Sequence, residues 1–283
     1  MSKVTLIIPV YNGATFLPAL LDSVIAQTSK DWTCICVNDG STDDSLAILN
    51  RYMEKDDRIT VIDQPNGGCG TARNAAMRRV TTPFVTFADQ DDILHPQAFE
   101  IAVDAIESSD VDCLCFGFER FKGEPAIQPI TDTAKAIRTD RNGTSLITGD
   151  HRSWPIFVWQ HVFRTNAVRN IPFPPISGGE DQAWMSELSW NNLSWASIDP
   201  VLYFNREDPN SRSRGISRRY IDNVLASYHW IDERSKPYGI DRKWVRRYIR
   251  HMRLMFMLSV IYRSPRMGIW LLTACVQTNH RSA

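Results

Sequence analysis

Long hydrophobic runs are the clearest thing this 283-residue chain lacks. Its longest charge-free apolar stretches near the end, Leu254–Tyr262 and Met267–Asn279, fall short of the ~20 residues that span a bilayer. Low-complexity tracts and internal repeats are missing too, which excludes fibrous, solenoid and linker-like architectures. No secretory leader opens the chain: Met1-Ser2-Lys3 runs straight into a strand-like segment, so a cytoplasmic protein is expected. Zinc spacing is absent. The six cysteines include two C-x-C pairs, Cys34/Cys36 and Cys113/Cys115, inside apolar runs. Strand alternation would put both members of each pair on one face, as small core side chains rather than as metal ligands.

A surplus of positive charge is also missing from the front of the chain. Residues 1–205 hold 16 Lys and Arg against 26 Asp and Glu, whereas residues 206–283 hold 16 against 6. The acidic part argues against a nucleic-acid partner, since polynucleotide binding leans on clustered cations.

What is present is a strand–helix alternation over the first ~120 residues, the pattern of βαβ units on a parallel sheet. Val4–Ile8, Trp32–Val37, Ile59–Ile62, Phe84–Phe87 and Asp112–Phe118 read as strands. Helices are expected around Leu17–Ile25, after Asp43-Asp44, over Thr71–Arg79 and around Phe99–Ile106. Residues 122–150 are polar and read as an excursion. Trp154–Val168 is aromatic-rich, Gln182–Trp190 reads as a helix, Leu193–Phe204 as a strand, and the chain from Gly215 onward as helical.

In such a sheet the ligand site lies at the carboxyl ends of the strands. Four unusual polar segments follow the strands: Pro9–Asn12, Asn38–Ser41, Asn66–Gly70 and Asp89-Gln90-Asp91-Asp92. Three aspartates in four positions repel one another unless a cation sits between them. An oxygen-rich set with few carboxylates, completed by substrate phosphates, suits Mg²⁺ or Mn²⁺. A turn or cap cluster is the competing reading. The Gly67, Gly68 and Gly70 spacing is not that of a dinucleotide fingerprint; it permits a tight turn into the next helix, with Arg73 one turn inside as a candidate diphosphate partner or a solvated surface residue. Glu180 and Asp181 precede an aromatic-rich helix, where a carboxylate can be a general base or simply stabilise the helix dipole.

These segments together resemble the family-2 class of GT-A glycosyltransferases over roughly residues 3–210. The likeness rests on Ile8–Asn12, Val37–Asp43, Asn66–Asn74, Asp89–Asp92 and Gly179–Asp181, five elements in the right order at the right intervals. It implies a GT-A-like, Rossmann-type, mostly parallel sheet flanked by helices. The implied catalytic domain is 1–210, with a nucleotide-sugar half at 1–120 and an acceptor half at 121–210, followed by a basic helical extension at 211–283. The resemblance implies a UDP-sugar donor held by Pro9, Tyr11, Asn12, Asp39, Asn66, Arg73, Asp89 and Gln90, with Asp39 bonded to uracil. It implies a divalent metal, Mn²⁺ or Mg²⁺, at Asp91 and Asp89, and Asp181 as catalytic base. Trp159 and Glu180 fall on the acceptor side, and the acceptor is a glycan or lipid-linked saccharide. Gln90 is bulkier than the residue common there, and His161 stands where Lys is frequent.

The expected chemistry is one displacement at the anomeric carbon, inverting, with Asp181 taking the acceptor proton. A nucleotide-sugar-binding partner subunit without turnover is the alternative. A nucleotidyltransferase is disfavoured because Pro9–Phe16 contains no Lys or Arg. In the basic tail, Trp244, Val245, Tyr248, Ile249, Met252, Met255 and Phe256 share one helical face among arginines. That face reads either as a peripheral contact with the inner face of the cell membrane, which is favoured slightly, or as packing on the catalytic domain.

Overall fold

The structure is a computed structural model that describes residues 1–131, 138–140, 157–176, 178–207, 217–264 and 267. Much of the 122–150 excursion, Ser177 and the expected boundary at 210/211 lie outside the described residues.

The sheet begins with four parallel strands: β1 (Val4–Val10), β2 (Trp32–Asp39), β3 (Ile59–Gln64) and β4 (Phe84–Phe87). β5 (Ile93–Leu94), β6 (Cys113–Phe121), β7 (Arg138–Asp140), β8 (His161–Arg164) and β9 (Trp195–Arg206) complete it. The order is β3-β2-β1-β4-β8-β6-β9-β5, with β7 also on β9. Beyond β4 the sheet is mixed: β8 runs antiparallel to both β4 and β6, while β6 and β9 pair in parallel.

Alternation along β1 explains the layers. Leu6, Ile8 and Val10 face one core with helices α1 (Leu17–Ile25), α2 (Ser45–Lys55) and α4 (Ala98–Ser109), while Ile7 faces a second core with α3 (Cys69–Met77). Burial on both faces is why these strands read as continuous apolar runs. Cys34 and Cys36 lie buried on the same face with free thiols, their sulfurs 3.7 Å apart, as their spacing predicts.

After α5 (Thr165–Val168), helix α6 (Glu180–Ser189) joins the second core through Trp184, Met185 and Leu188. Its other side carries α7 (Arg218–Ser235) and α8 (Arg242–Arg263). The contact is close. Gly179 takes φ +75°, and a Cβ there would lie 2.6 Å from Ser227 Oγ, so only glycine fits at this helix start. Glu187, fully buried, accepts from Arg234 Nε at 2.9 and 3.0 Å and from the Tyr238 hydroxyl at 3.1 Å.

The apolar face anticipated in the tail is occupied by protein, which corrects its reading as the membrane-facing side. Val245 and Ile249 are buried, and Trp244, Tyr248, Met252 and Phe256 pack against the same cluster as Tyr228 and Ile231. Only Met255 of that set is exposed. No helix among the described residues is long and apolar enough to cross a membrane.

Candidate active site

The four polar strand ends meet, joined by hydrogen bonds of the Asn12, Asp39, Ser41 and Gln90 side chains. Asn12, at φ +51°, accepts the Thr42 N–H at 2.8 Å and donates its own N–H to Ser41 Oγ at 3.0 Å. Gln90 clasps the backbone of Tyr11 twice: Oε1 accepts its N–H at 2.8 Å and Nε2 donates to its carbonyl at 3.2 Å. The extra length of Gln90 therefore ties the fourth strand end to the first. Asp39 is buried; Oδ1 accepts from Gln64 Nε2 (2.8 Å) and the Gly67 N–H (2.9 Å), and Oδ2 from the Gly68 N–H (2.8 Å). A carboxylate has about four acceptor positions, so a uracil contact would use what these three bonds leave. Pro9 is buried within β1, and Asn66 is exposed at the loop.

The Asp89–Asp92 turn divides its labour. Asp92 is buried and accepts from the Tyr203 hydroxyl (2.6 Å), Asn205 Nδ2 (3.2 Å) and the Arg206 N–H (2.7 Å). Tyr203 in turn accepts the Asp89 N–H at 3.0 Å, and Arg206 Nε donates to the Asp91 carbonyl at 2.8 Å. Asp92 is thus a structural acid, its oxygens taken up by β9. Sequence reading missed Tyr203 and Arg206; a tyrosine inside the apolar run 201–204 was the available signal.

Opposite this turn lies Arg73, and here the structure departs from expectation. The side chain is only 1% exposed, neither a surface residue nor open to a diphosphate. Its Nη2 donates to Asp89 Oδ1 at 3.0 Å, and its Nη1 to Glu180 Oε1 at 3.1 Å and to Asp181 Oδ1. α3 can bring it there because Gly70 lets the helix lie on the Pro174 carbonyl, where a Cβ would come within 2.4 Å. One buried cation thus faces three carboxylates. Burial pushes the Asp181 carboxyl up to about 8, against the lowering pull of Arg73 and with help from Glu180 and Asp89. Burial likewise raises Asp89 to about 6, Arg73 lowering and Asp91 raising it. Among the described residues no group of three or more acids, histidines and cysteines is placed to cage a metal ion. The two-carboxylate donor set fits a hard divalent cation completed by phosphate oxygens, and does not fit an all-protein cage.

Residues 5–164 match the profile of Glycosyl transferase family 2, which covers more than half of the chain and includes every strand end described above. The chain belongs to that family. The glycosyltransferase is 29% identical over 241 residues to the uncharacterized glycosyltransferase YibD of Escherichia coli K12, covering 81% of this chain and 68% of that one. Its fold is similar to S. aureus TarS 1-349 in complex with UDP-GlcNAc (TM-score 0.70, 20% identity, 86% of this chain and 69% of that one). It is also similar to the mannosyltransferase PcManGT from Pyrobaculum calidifontis in complex with GDP-Man and Mn²⁺ (TM-score 0.56, 16% identity, 98% and 80%). These likenesses establish the GT-A fold of the glycosyltransferase.

Asp181 lies beyond the matched residues. It is the second residue of α6 and reaches the cluster through Arg73, with a backbone hydrogen bond from Val158. Glu180 spends both oxygens, one on Arg73 and one on the Gly178 N–H at 2.9 Å. Trp159 offers no open ring face: Phe157 stacks on it at 4.8 Å and Tyr203 at 4.6 Å, and the residue is 4% exposed. Trp159 therefore has no ring face open for an acceptor sugar to stack on. Its role is to brace Tyr203, and through it the Asp89 turn. His161 is fully buried, and burial pushes it down to about 4, so it does not supply the positive charge of a lysine.

Proposed function

We propose that this glycosyltransferase moves a hexose or N-acetylhexosamine from a UDP-sugar to a hydroxyl of a glycan or lipid-linked saccharide, with inversion. Bacterial surface polysaccharide synthesis, at the inner face of the cell membrane, is the proposed setting. The observation that carries the reading is Asp181. It is a carboxyl at a helix start, raised to about 8 and held across a single guanidinium from Asp89. A base with a pKa near the working pH best combines availability with driving force.

The donor would lie over the joined strand ends, with Pro9, Tyr11, Asn12, Asp39 and Asn66 at the nucleotide and Gln90 fixing the Tyr11 backbone. Asp91 and Asp89 would hold Mn²⁺ or Mg²⁺, which when bound supplies charge neutralisation for the departing diphosphate. Arg73 acts as a positioning residue, because its terminal nitrogens are turned to the acids. It holds Asp181 and Asp89 at a fixed separation on opposite sides of the reacting centre. Asp181 accepts the acceptor hydroxyl proton as that oxygen attacks. The UDP preference rests on the family resemblance and on a structural neighbour solved with UDP-GlcNAc.

Calorimetry of UDP-sugars with Mn²⁺ and with EDTA, followed by a product assay, tests the reading. Tight metal-dependent binding with release of free UDP is expected. Binding without any turnover would turn the conclusion to a partner subunit lacking activity; equal affinity in EDTA would remove the metal from the account.

A further inference from the structure

α8 has a second apolar side, distinct from the one packed on the molecule. Leu254 (53% exposed), Leu258 (52%) and Ile261 (36%) sit at i, i+4 and i+7, flanked by Met255 and by Tyr262, which is 90% exposed. The same ridge continues toward the helix start as Arg250, Arg247 and Lys243, all exposed. One line along the helix is therefore basic for about 10 Å and apolar for about the next 10 Å at 1.5 Å per residue. No Asp or Glu occurs in residues 242–263. Among the described residues, no carboxylate pairs with Arg247 or Arg250. On one flank, Arg246, Arg250 and Arg253 line a groove of about 630 Å³ against α7. The one acid in that groove, Asp232, is already bound by Arg242 at 2.7 Å.

We propose that this outer ridge of α8 docks the protein on an anionic phospholipid surface. The last two turns would enter the acyl boundary, and the first two would lie at the level of the phosphates. Each half of the ridge calls for a different environment, and an anionic lipid surface supplies both. Interfacial helices bury exposed apolar side chains such as Leu254, Leu258 and Ile261 at the acyl boundary. Cations placed near an anionic leaflet each add attraction. A second copy of this chain seated on the same ridge would bring two uncompensated basic segments together. A nucleic acid would leave Leu254, Leu258 and Tyr262 in water. The inference goes beyond the transfer reaction and does not depend on it, since it is measured without donor or acceptor.

The test is co-sedimentation of the full chain with sucrose-loaded vesicles, either pure phosphatidylcholine or phosphatidylcholine with a third of phosphatidylglycerol. Binding to the anionic vesicles is expected, weakened by raised salt as exposed charges are screened. Replacing Arg247 and Arg250 together by Ala should lower the partition coefficient about 30-fold, from roughly 1 kcal/mol per basic residue near the surface. Leu258→Ser should lower it about tenfold or more, from the apolar burial it removes. Both sites are exposed, so circular dichroism should report an unchanged fold. No sedimentation of the wild type, or sedimentation that both variants leave intact, overturns the proposal. So does a vesicle-free dimer that Leu258→Ser dissociates, since the ridge would then be a self-association face.

Discussion

Acids on the two sides of the site are treated in opposite ways. On the nucleotide side, Asp39, Asp43 and Asp92 accept hydrogen bonds from backbone amides and neighbouring side chains, and they knit the strand ends together. On the α6 side, Asp89, Glu180 and Asp181 converge on one buried guanidinium, and burial lifts Asp181 and Asp89. The first group lowers the energy of the fold. The second stores electrostatic tension, and displaced titration of this kind is common where proton transfer occurs. On the proposed mechanism the first group holds the site, while Asp181 and Asp89 of the second act in it.

The largest effect that can break this comparison is loss of the central cation. Arg73→Met leaves three carboxylates without their partner, and removing one member of a buried ion cluster costs roughly 3–5 kcal/mol. Urea unfolding at neutral pH should show that loss, and it should shrink at acid pH as the carboxyls take up protons. A loss below about 1 kcal/mol would mean that the acids are solvated and that no tension is stored.

Asp39→Asn probes the other side. The amide would turn a donor toward the N–H of Gly67 or Gly68, so stability should fall by roughly 1.5–3 kcal/mol, the worth of hydrogen bonds to a charged group. Unchanged stability accompanied by weaker UDP binding would make Asp39 a ligand group alone.

The pH dependence of stability sharpens the comparison further, with a smaller effect. Asp89 and Asp181 titrate near 6 and 8 in the folded chain, against about 4 when unfolded. The folded state therefore binds more protons across pH 4–8. Their contribution to stability is fully present below pH 4 and is lost as pH rises toward 8. Asp181→Asn should flatten the upper part of this slope, as measured by thermal unfolding across the range. A slope unchanged by the substitution would assign the titration elsewhere.

Much of this arrangement was legible in the sequence, for identifiable reasons. Polar residues directly after buried strands mark the carboxyl edge, so Asp39, Gln90 and the Asp89 turn could be placed before any coordinates. Arg73 could not be placed so well. Its burial depends on Glu180 and Asp181 arriving from more than 100 residues away, and a helical arginine one turn into α3 looks the same whether covered or exposed. The packing of Trp159 was hidden for a related reason, because stacking on Phe157 and Tyr203 is set by tertiary contact. In the tail, periodicity found one apolar face of α8. It did not reveal that Leu254, Leu258 and Ile261 form another, since only packing shows which of two faces is covered. Helix α3 also begins at Cys69 rather than at the anticipated Thr71, as Gly68 completes the turn earlier.

The central claim is that Asp181 does chemistry and does not merely hold the fold. Asp181→Asn keeps the side chain's size and removes its capacity to take a proton. Donor affinity and transfer rate measured on the same folded variant decide the matter. The account predicts donor affinity within a few-fold of wild type and a transfer rate lower by about 10²–10⁴-fold. Normal donor binding together with a near wild-type transfer rate would contradict it, and would reduce Asp181 to a counter-ion for Arg73.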